Sequence, residues 1–363
     1  MQHRKKVIVS VTNDLISDQR VHKVCTSLHN SGVEVLLVGR KVASSLKLSN
    51  RPYETKRFNL WFNKGVLFYA NYNLRLAWFL LFSKFTVLIS NDLDTLLANF
   101  LISRIKNQPL IYDSHEYFTE VPELINRTKT KKVWETIEGY ILPKLKYAYT
   151  VSSLIAEAYN HKYNTKFLLI RNFPRKREVS IQSKEKIILY QGVLNVGRGL
   201  EDMISAMQFI DDYKLWIAGT GDLENDLKQM VLNLKLDSKV RFLGRIPLEI
   251  LVEITDRASL GLSLETITGL NYKFALPNKI FDYLQSKVPV LYADLPEVEK
   301  TLAGFEVGSK LKSREPQKLA EQVKGMLNSD QYEHWVKQCS KAAEQLNWET
   351  EERVLLNLFD SID

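Results

Sequence analysis

The sequence predicts an α/β protein with two domains, each built on a parallel β-sheet. Its 363 residues are enough for two separate cores. A β-branched strand at residues 7–11 is followed by a helix and a second strand at 33–38, with short connections that are typical of a βαβ unit. The same order of strand, helix and strand recurs over residues 186–218. The chain therefore repeats one α/β plan.

Composition and cysteine usage place the chain among ordinary globular proteins. Hydrophobic residues make up 45% of the chain and charged residues 25%. Cys25 and Cys339 lie far apart and form neither a disulfide framework nor a metal-binding spacing, so we expect a reducing, cytoplasmic compartment. The apolar run after the basic N-terminus is too short for a signal peptide, and polar residues interrupt the aromatic stretch at 60–90. We expect no transmembrane helix.

The net charge of +8 is unevenly distributed. Residues 1–175 hold 26 Lys and Arg against 13 Asp and Glu, a net charge of +13, whereas the remainder holds 24 against 29, a net charge of −5. Nucleic acid is not the expected partner, because no zinc finger, RNA-binding signature or dense basic helix is present. An anionic membrane surface or a phosphate-bearing acceptor fits the basic half better.

The stretch at 127–146 combines six cations with apolar residues that include Val133, Trp134, Ile137, Tyr140, Ile141 and Leu142. Such a basic amphipathic segment can lie on an anionic bilayer. Alternatively, it is a solvated helix whose apolar face belongs to the core.

In the first half of the chain, polar residues follow three predicted strands. Asn13 and Asp14 follow the first strand, and no GxGxxG motif is present there, so a dinucleotide at this turn is not expected. Two interpretations of this loop are equally open: Asp14 contacts the acceptor, or Asp18 simply caps the next helix. Because ligands of open α/β sheets gather beyond the carboxyl ends of strands, Asp92 after the strand at 86–90 is a candidate site residue. Helix capping is the more ordinary use of the neighbouring Asp94.

His115 and Glu116 follow the strand at 110–112 in the same way. Three interpretations of His115 are open: a metal ligand, a satisfied structural histidine, or a contact to sugar hydroxyls. The metal interpretation lacks supporting ligand spacing. After the strands at 149–151 and 167–170, the polar, proline-bearing segment 171–183 is typical of an interdomain linker.

The segment 276–297 carries the strongest local signal. Pro277 suits the first turn of a helix, and the apolar, β-branched run at 288–292 predicts a buried parallel strand. Unpaired amides at this helix N-terminus suit a phosphate. Lys279 and Asp282 would share one helix face, where Asp282 could accept hydrogen bonds from a diol, which together suggests a nucleotide sugar. The alternative is an exposed helix pair worth less than about 0.5 kcal/mol.

The run L-P-N-K-I-F-D-Y resembles the donor-site segment of the retaining, family 4 glycosyltransferases with the GT-B fold, the glycosyl transferases group 1. That family usually carries two glutamates eight residues apart. Asp282 occupies the second position, whereas Phe274 stands where the first glutamate would be. We interpret the loss as a trait of a subgroup with an L-P-N-K-x-F-D-Y motif, which also shows N-D-x-x-x-D-x-R-V after the first strand.

The loop Q-G-V-L-N-V-G-R-G resembles the family's G-R-L-x-x-x-K-G, whose arginine and lysine hold the donor diphosphate. Arg198 occupies the lysine position and Val193 replaces the arginine. Arginine binds phosphate in a bidentate manner, so Arg198 can compensate, with Lys279 as a second cation. The alternative is a surface arginine at a helix N-terminus, where the helix dipole disfavours a cation.

The resemblance implies functional roles for thirteen residues and no metal or cofactor beyond the donor substrate. The implied catalytic residues are His115, Arg198 and Lys279. The implied donor-binding residues are Gly192, Arg198, Gly219, Leu243, Glu265, Asn278, Lys279 and Asp282. The implied acceptor-side residues are Asn13, Asp14, Asp92, His115 and Glu116.

The resemblance also implies a GT-B architecture, in which two Rossmann-like domains with parallel sheets face a central cleft. Residues 1–172 would form the acceptor domain, with a terminal crossover helix at 347–363, and residues 173–346 the donor domain. The implied activity is transfer of a hexose from a nucleotide sugar to an acceptor hydroxyl with retention, by front-face substitution. A lipid-linked or polysaccharide acceptor would place the protein in the cytoplasm, at the inner face of the membrane.

Two other functions fit parts of the sequence. A nucleotide-sugar epimerase would use carboxylates and a histidine around the sugar and would need no acceptor. A non-catalytic protein that binds a sugar nucleotide would explain Val193 and Phe274.

Overall fold

The protein is described here by a computed structural model, which covers residues 5–16, 18–43, 45, 47–48, 50–179 and 183–362. The chain divides into two compact units. The N-terminal unit comprises residues 1–172 together with 351–363, and the C-terminal unit comprises residues 173–350.

The N-terminal unit contains a seven-stranded sheet with the order β3-β2-β1-β4-β5-β6-β7. Every pair of neighbouring strands is parallel. The strands are β1 (Lys6–Ser10), β2 (Glu34–Lys41), β3 (Glu54–Asn59), β4 (Val87–Asn91), β5 (Leu110–Ser114), β6 (Tyr147–Thr150) and β7 (Phe167–Leu169). The central strands β4 and β5 are buried along their whole length, as expected of a parallel sheet with both faces covered.

The sequence does not predict strand β3. Its sequence ETKRFN is mostly polar, and Phe58 is its one buried residue because β3 lies at the edge of the sheet. An edge strand with so little burial lacks the alternation that identifies strands from sequence.

The helices before the linker in the N-terminal unit include α1 (Gln19–Asn30), α2 (Gly65–Phe82), α3 (Leu93–Lys106), α4 (Pro122–Ile125), α5 (Thr128–Ile141) and α6 (Ser153–Tyr163). Asp18 caps α1, because its carboxylate accepts a hydrogen bond of 3.0 Å from the amide of Val21. Trp134 and Ile141 of α5 face the core, whereas Val133 and Tyr140 are exposed. Trp134 packs against Tyr69 and Phe118, with ring centroids 5.1 and 5.3 Å away.

The C-terminal unit contains a six-stranded parallel sheet with the order β10-β9-β8-β11-β12-β13. Its strands are β8 (Ile187–Gln191), β9 (Lys214–Ala218), β10 (Val240–Gly244), β11 (Leu260–Ser263), β12 (Val290–Tyr292) and β13 (Gly308–Lys310). Its helices are α7 (Leu200–Ala206), α8 (Glu224–Asn233), α9 (Leu248–Arg257), α10 (Leu270–Lys273), α11 (Asn278–Gln285), α12 (Pro296–Leu302), α13 (Pro316–Leu327) and α14 (Tyr332–Gln345). Two apolar clusters form its core.

The sequence predicts one long helix over 313–339, and this prediction is wrong. The structure has two helices, α13 and α14, separated by residues 328–331. Asn328, Ser329 and Asp330 lie in this break, and their short polar side chains compete with the helical backbone for hydrogen bonds.

The last helix, α15 (Trp348–Asp360), supplies buried side chains to the N-terminal unit from residue 351 onward. Leu355 and Phe359 are fully buried, and the Glu351 carboxylate accepts a hydrogen bond of 2.9 Å from the amide of Arg171. Lys5 Nζ donates to the carbonyl of Ile362 at 2.5 Å. Among the described residues, no helix is long and apolar enough to cross a membrane.

Candidate functional site

In the C-terminal unit, the predicted donor residues collect beyond the carboxyl ends of β8 and β11. These strands are neighbours, so the loops that follow them meet. The amide of Thr266 donates to the carbonyl of Gly197 at 2.8 Å, which joins the two loops directly. Helix α11 begins beside them and carries Lys279 in its first turn.

A buried ion pair lies at the centre of this group. Lys279 Nζ is 2.8 Å from Glu265 Oε1, and the two side chains are 9% and 1% exposed. Ser263 Oγ donates to the other oxygen, Oε2, at 2.7 Å. Burial by itself would raise the pKa of Glu265, but Lys279 and the hydrogen bond from Ser263 hold that pKa below its ordinary value. Glu265 is therefore an ionised counter-ion of Lys279.

Arg198 approaches the same carboxylate from the loop after β8. Its Nη1 is 3.8 Å from Glu265 Oε1, and its guanidinium lies 5.1 Å from the ring centroid of Tyr272. Its Nε is buried and has no hydrogen-bond partner within the described part of the chain. Two cations thus converge on one carboxylate, which favours an anionic ligand.

Asp282 forms a separate contact with the end of β8. Gln191 Nε2 donates to Asp282 Oδ2 at 2.8 Å, while Gln191 Oε1 accepts from Thr255 Oγ1 at 3.1 Å. Asp282 is half-buried and Lys279 is buried, so the alternative of an exposed Lys279–Asp282 pair is wrong. Gln191 was not among the predicted site residues. Its one signal was a polar residue at the end of an apolar strand, next to a predicted site glycine.

The glycines of the group allow a close approach of two backbones. Gly219 has φ +142°, and a Cβ on it would lie 1.8 Å from the carbonyl oxygen of Gly192. Gly192 has φ +138° and donates its amide to Ala218 at 2.9 Å. A Cβ on Gly192 would lie 3.6 Å from Lys279 Nζ, so this backbone borders the cation.

The remaining predicted donor residues lie at the periphery. Leu243 is a bulge in the edge strand β10, because Phe242 pairs with Ile217 and Gly244 with Ala218. Asn278 is the exposed first residue of α11. Phe274, at the position of the missing glutamate, is the half-buried residue that ends α10.

In the N-terminal unit, His115 lies between two carboxylates beyond the ends of β4 and β5. Its Nδ1 is 3.3 Å from Asp92 Oδ2 and its Nε2 is 3.2 Å from Asp113 Oδ2. Arg20 Nη2 donates to Asp113 Oδ1 at 2.7 Å, and both of these side chains are buried. Neither Arg20 nor Asp113 was among the predicted site residues, because their pairing joins positions far apart in sequence.

The carboxylates determine the charge of His115. Burial lowers the pKa of His115, but Asp92 and Asp113 outweigh it and raise that pKa to about 9. Burial raises the pKa of Asp113, while Arg20 and His115 together lower it to about 2. Asp92 adopts φ +55°, a strained conformation for a residue other than glycine. Its Oδ1 accepts a hydrogen bond of 2.8 Å from the amide of His115, so Asp92 contacts both the backbone and the ring of this residue.

The other predicted acceptor residues mostly stabilise loops. Asn13 Nδ2 donates to Asp18 Oδ2 at 2.7 Å, and the Asp14 carboxylate accepts from the amide of Ile16 at 3.2 Å. The carbonyl of Glu116 accepts from a serine hydroxyl at 2.8 Å.

Asp94 has a role other than helix capping. Its Oδ2 accepts a hydrogen bond of 2.6 Å from Thr12 Oγ1, and burial together with the charge of Asp92 raises its pKa to about 7. In the part of the chain that the structure describes, no group of three or more His, Cys, Asp or Glu residues is placed to hold a metal ion.

The chain is similar to known glycosyltransferases in part of its sequence and in its fold. Residues 172–345 match the family model of glycosyl transferases group 1. An uncharacterized glycosyltransferase of Methanocaldococcus jannaschii is 39% identical over 72 residues, which span 19% of this chain and only 18% of that relative.

Two solved structures cover nearly the whole chain. A sucrose-phosphate synthase from Thermosynechococcus elongatus is 16% identical, with a TM-score of 0.79 and 98% of each chain covered. The Anabaena protein HepE, solved in complex with UDP-glucose, is 12% identical, with a TM-score of 0.73 over 98% of this chain and 100% of that one. These likenesses show that the fold is the predicted α/β, GT-B fold with two Rossmann-like domains, and the family match over residues 172–345 supports a group 1 glycosyltransferase.

Proposed function

We propose that this protein transfers a hexose from a nucleotide diphosphate sugar to an acceptor hydroxyl, with retention of anomeric configuration. The observation that carries the proposal is the convergence of Arg198 and Lys279 on the buried carboxylate of Glu265. A diphosphate leaving group develops negative charge, and cations held in place before the reaction stabilise it. The UDP-glucose complex of HepE, which shares the fold, supports this class of donor.

The donor site would contact the nucleotide sugar at two places, the diphosphate and the ribose. The diphosphate lies against Arg198, the Gly192 backbone and the N-terminus of α11. Asp282, oriented by Gln191, accepts hydrogen bonds from the ribose hydroxyls. We propose that these cations replace a metal ion, so transfer persists when divalent cations are chelated.

The charge of His115 bears on the mechanism. With a pKa of about 9, its imidazole is protonated at neutral pH and donates rather than accepts protons. Its two N–H groups face Asp92 and Asp113. A sugar or acceptor hydroxyl would therefore take the place of one of these contacts and accept a hydrogen bond from the imidazole. The base that deprotonates the acceptor must then be another group, and the departing phosphate is available in a front-face substitution with retention.

We propose that the acceptor is lipid-linked or part of a growing polysaccharide, in the assembly of cell-surface polysaccharide or glycolipid. The net charge of +13 over residues 1–175 favours an anionic membrane surface as the place of reaction. Binding to anionic vesicles should therefore decline steeply as salt rises. Vesicle binding that is absent or indifferent to salt would remove this part of the proposal.

The decisive experiment incubates the protein with UDP, GDP and ADP sugars, with and without simple acceptor glycosides, in EDTA. Slow donor hydrolysis that the acceptor accelerates supports the transferase. Epimer formation without acceptor indicates an epimerase, and binding without turnover indicates a non-catalytic protein, as Val193 and Phe274 would suggest.

Arg198→Ala and Asp282→Ala test the donor site directly. Each removes a charge-assisted hydrogen bond, so each should reduce kcat/KM for the donor by roughly 10- to 100-fold, about 1.5–3 kcal/mol. Leu232→Ala, on the exposed side of α8, is the control and should leave the donor kinetics unchanged. Unchanged kinetics in both site variants would remove the donor site.

A further inference from the structure

Helix α2 is apolar on two opposite sides, although only one of them faces the sheet. It buries Phe68 and Tyr72 together with Leu76 and Leu80, at a spacing of four residues. Away from the sheet it exposes a second row. Trp78 is 68% exposed and Phe82 is 70% exposed. A helix that is apolar all round is normally covered on both sides.

Helix α3 continues this surface. The amide of Ala98 donates to Asn73 Oδ1 at 3.3 Å, and Lys106 Nζ donates to the carbonyl of Ser83 at 2.6 Å. These contacts join the middle of α2 to the start of α3, and the end of α2 to the end of α3, so the helices run side by side in the same direction.

Helix α3 exposes its own row of apolar side chains, again four residues apart. The combined surface, which we name the α2–α3 face, consists of Leu74, Trp78, Phe82, Leu97, Leu101 and Ile105. Six large apolar side chains in two adjacent rows exceed the scattered exposure that is normal on a protein surface.

The segment of chain that carries the α2–α3 face holds mostly positive charges. Between Glu54 and Asp113 the sequence holds seven Lys and Arg residues, and its two acidic residues are Asp92 and Asp94. Asp92 belongs to the candidate acceptor site, and Asp94 is hydrogen-bonded to Thr12. Lys84 follows the end of α2, near Phe82, while Lys106 lies at the end of α3, next to Ile105. Cations and apolar side chains therefore occupy the same end of both helices.

This combination distinguishes between occupants. A second copy of the chain would bring two sets of cations together across a two-fold interface, and like charges oppose such an association. An anionic bilayer instead offers phosphates to the cations and acyl chains to the apolar rows, and tryptophan favours the boundary between them. Helix α5, which the sequence suggested for this role, packs its Trp134 side into the core.

We propose that the α2–α3 face docks the protein on an anionic lipid surface, with Trp78, Phe82 and Ile105 inserted below the headgroups. The inference rests on the proposed function only in that it gives the membrane partner a defined surface. It also presents the unit that carries His115 to a lipid-linked acceptor.

The test is flotation with vesicles of phosphatidylcholine, with or without about 30% phosphatidylglycerol. Trp78→Gln combined with Phe82→Gln should weaken binding to the anionic vesicles by at least about tenfold, because two large apolar side chains no longer insert. The matched control combines Leu232→Gln with Ile250→Gln, which are similarly exposed in the C-terminal unit, and should change binding by less than about twofold. Lys84→Gln should weaken binding by about fivefold at low salt.

Three results would overturn the proposal: no binding of the wild-type protein to anionic vesicles, equal loss in the control variant, or a change of oligomeric mass when Trp78 and Phe82 are replaced. The last result would make the α2–α3 face an interface between copies. UDP binding, followed by thermal shift on the same variants, reports separately on the donor site. Failure of UDP binding would count against the transferase and leave the vesicle result interpretable.

Discussion

At the scale of single residues, the candidate donor site is built around a buried carboxylate that has no place in the family motif. Glu265 is 1% exposed, and its carboxylate lies near two cations, Lys279 and Arg198. A diphosphate that binds to these cations competes with Glu265 for them. One carboxylate can neutralise only one of the two cations. A positive charge therefore remains for a second anion to bind.

Removing Lys279 should be costly because it leaves Glu265 buried without its main partner. We expect Lys279→Met to lower the free energy of unfolding by about 3–5 kcal/mol. The double variant with Glu265→Gln should lose less than Lys279→Met alone, since no uncompensated charge is buried. Urea denaturation measures both, and strictly additive effects would contradict the coupling.

The same pair gives a pH dependence of defined sign. Because the pKa of Glu265 is depressed in the folded protein, its stabilising contribution is present above its ordinary value of 4.5 and is lost as pH falls through the lower folded value. Stability measured below pH 4.5 should therefore decline less in Glu265→Gln than in the wild-type protein. Parallel declines in the two proteins would contradict this assignment.

The contribution of His115 to stability should have the opposite pH dependence. Its pKa is raised from 6.5 to about 9, so its stabilising contribution is present below pH 6.5 and is lost as pH rises through about 9. NMR of the histidine rings should show one resonance that titrates near pH 9 and disappears in His115→Gln. Asp92→Asn should move it toward 6.5, because one of the two carboxylates is lost. A His115 resonance that already titrates below 6.5 in the wild-type protein would exclude a protonated donor.

At the scale of elements, the donor loops are positioned by backbone contacts that side chains would obstruct. The loops after β8 and β9 touch at Gly192 and Gly219, and the loops after β8 and β11 join at Gly197 and Thr266. Parallel strands place these loops at one edge of the sheet, and glycine permits the final approach.

Gly219→Ala should disturb this approach. The substitution meets both an unfavourable φ and the carbonyl of Gly192, so we expect a loss of more than about 1 kcal/mol in stability and weaker UDP binding. Gly325→Ala is the control, since Gly325 is exposed within α13 and its added Cβ meets nothing within 4 Å. That variant should gain up to about 1 kcal/mol. Comparable losses in both variants would show that the contact at Gly192 has no special role.

At the scale of the whole molecule, the two ends of the chain are held together in the N-terminal unit. Lys5 Nζ reaches the carbonyl of Ile362, and Glu351 binds the Arg171 amide next to the start of the C-terminal unit. Stability of this unit therefore requires the last residues of the chain as well as the first.

Substitutions in α15 test that requirement. Leu355→Ala should destabilise the protein by about 2–5 kcal/mol and Phe359→Ala by about 3–5 kcal/mol, because both side chains are fully buried. Val354→Ala, at a partly exposed neighbouring position, should change stability by no more than about 0.5 kcal/mol. Hydrogen exchange in β1 should accelerate in the first two variants only. Unchanged exchange there would show that α15 is dispensable for the N-terminal unit.

The sequence by itself determined the α/β class, the repeated parallel plan and which loops carry the predicted donor residues, because these depend on local signals. Apolar runs, turn residues and the spacing of Pro277, Lys279 and Asp282 are each contained within a few residues of chain. Strand β3 and the break between α13 and α14 were not predicted. The sequence of β3 is mostly polar, and the break interrupts an amphipathic pattern for only a few residues.

Only the tertiary structure decided which side chains meet. Lys279 pairs with Glu265, fourteen positions away, and Asp282 with Gln191, ninety-one positions away, although Lys279 and Asp282 are neighbours on one helix. Arg20 and Asp113 are ninety-three positions apart. Burial enforces such pairings, because a charge removed from water must find a partner wherever the packed strands bring one. The periodicity of a sequence does not indicate which distant side chains will pair.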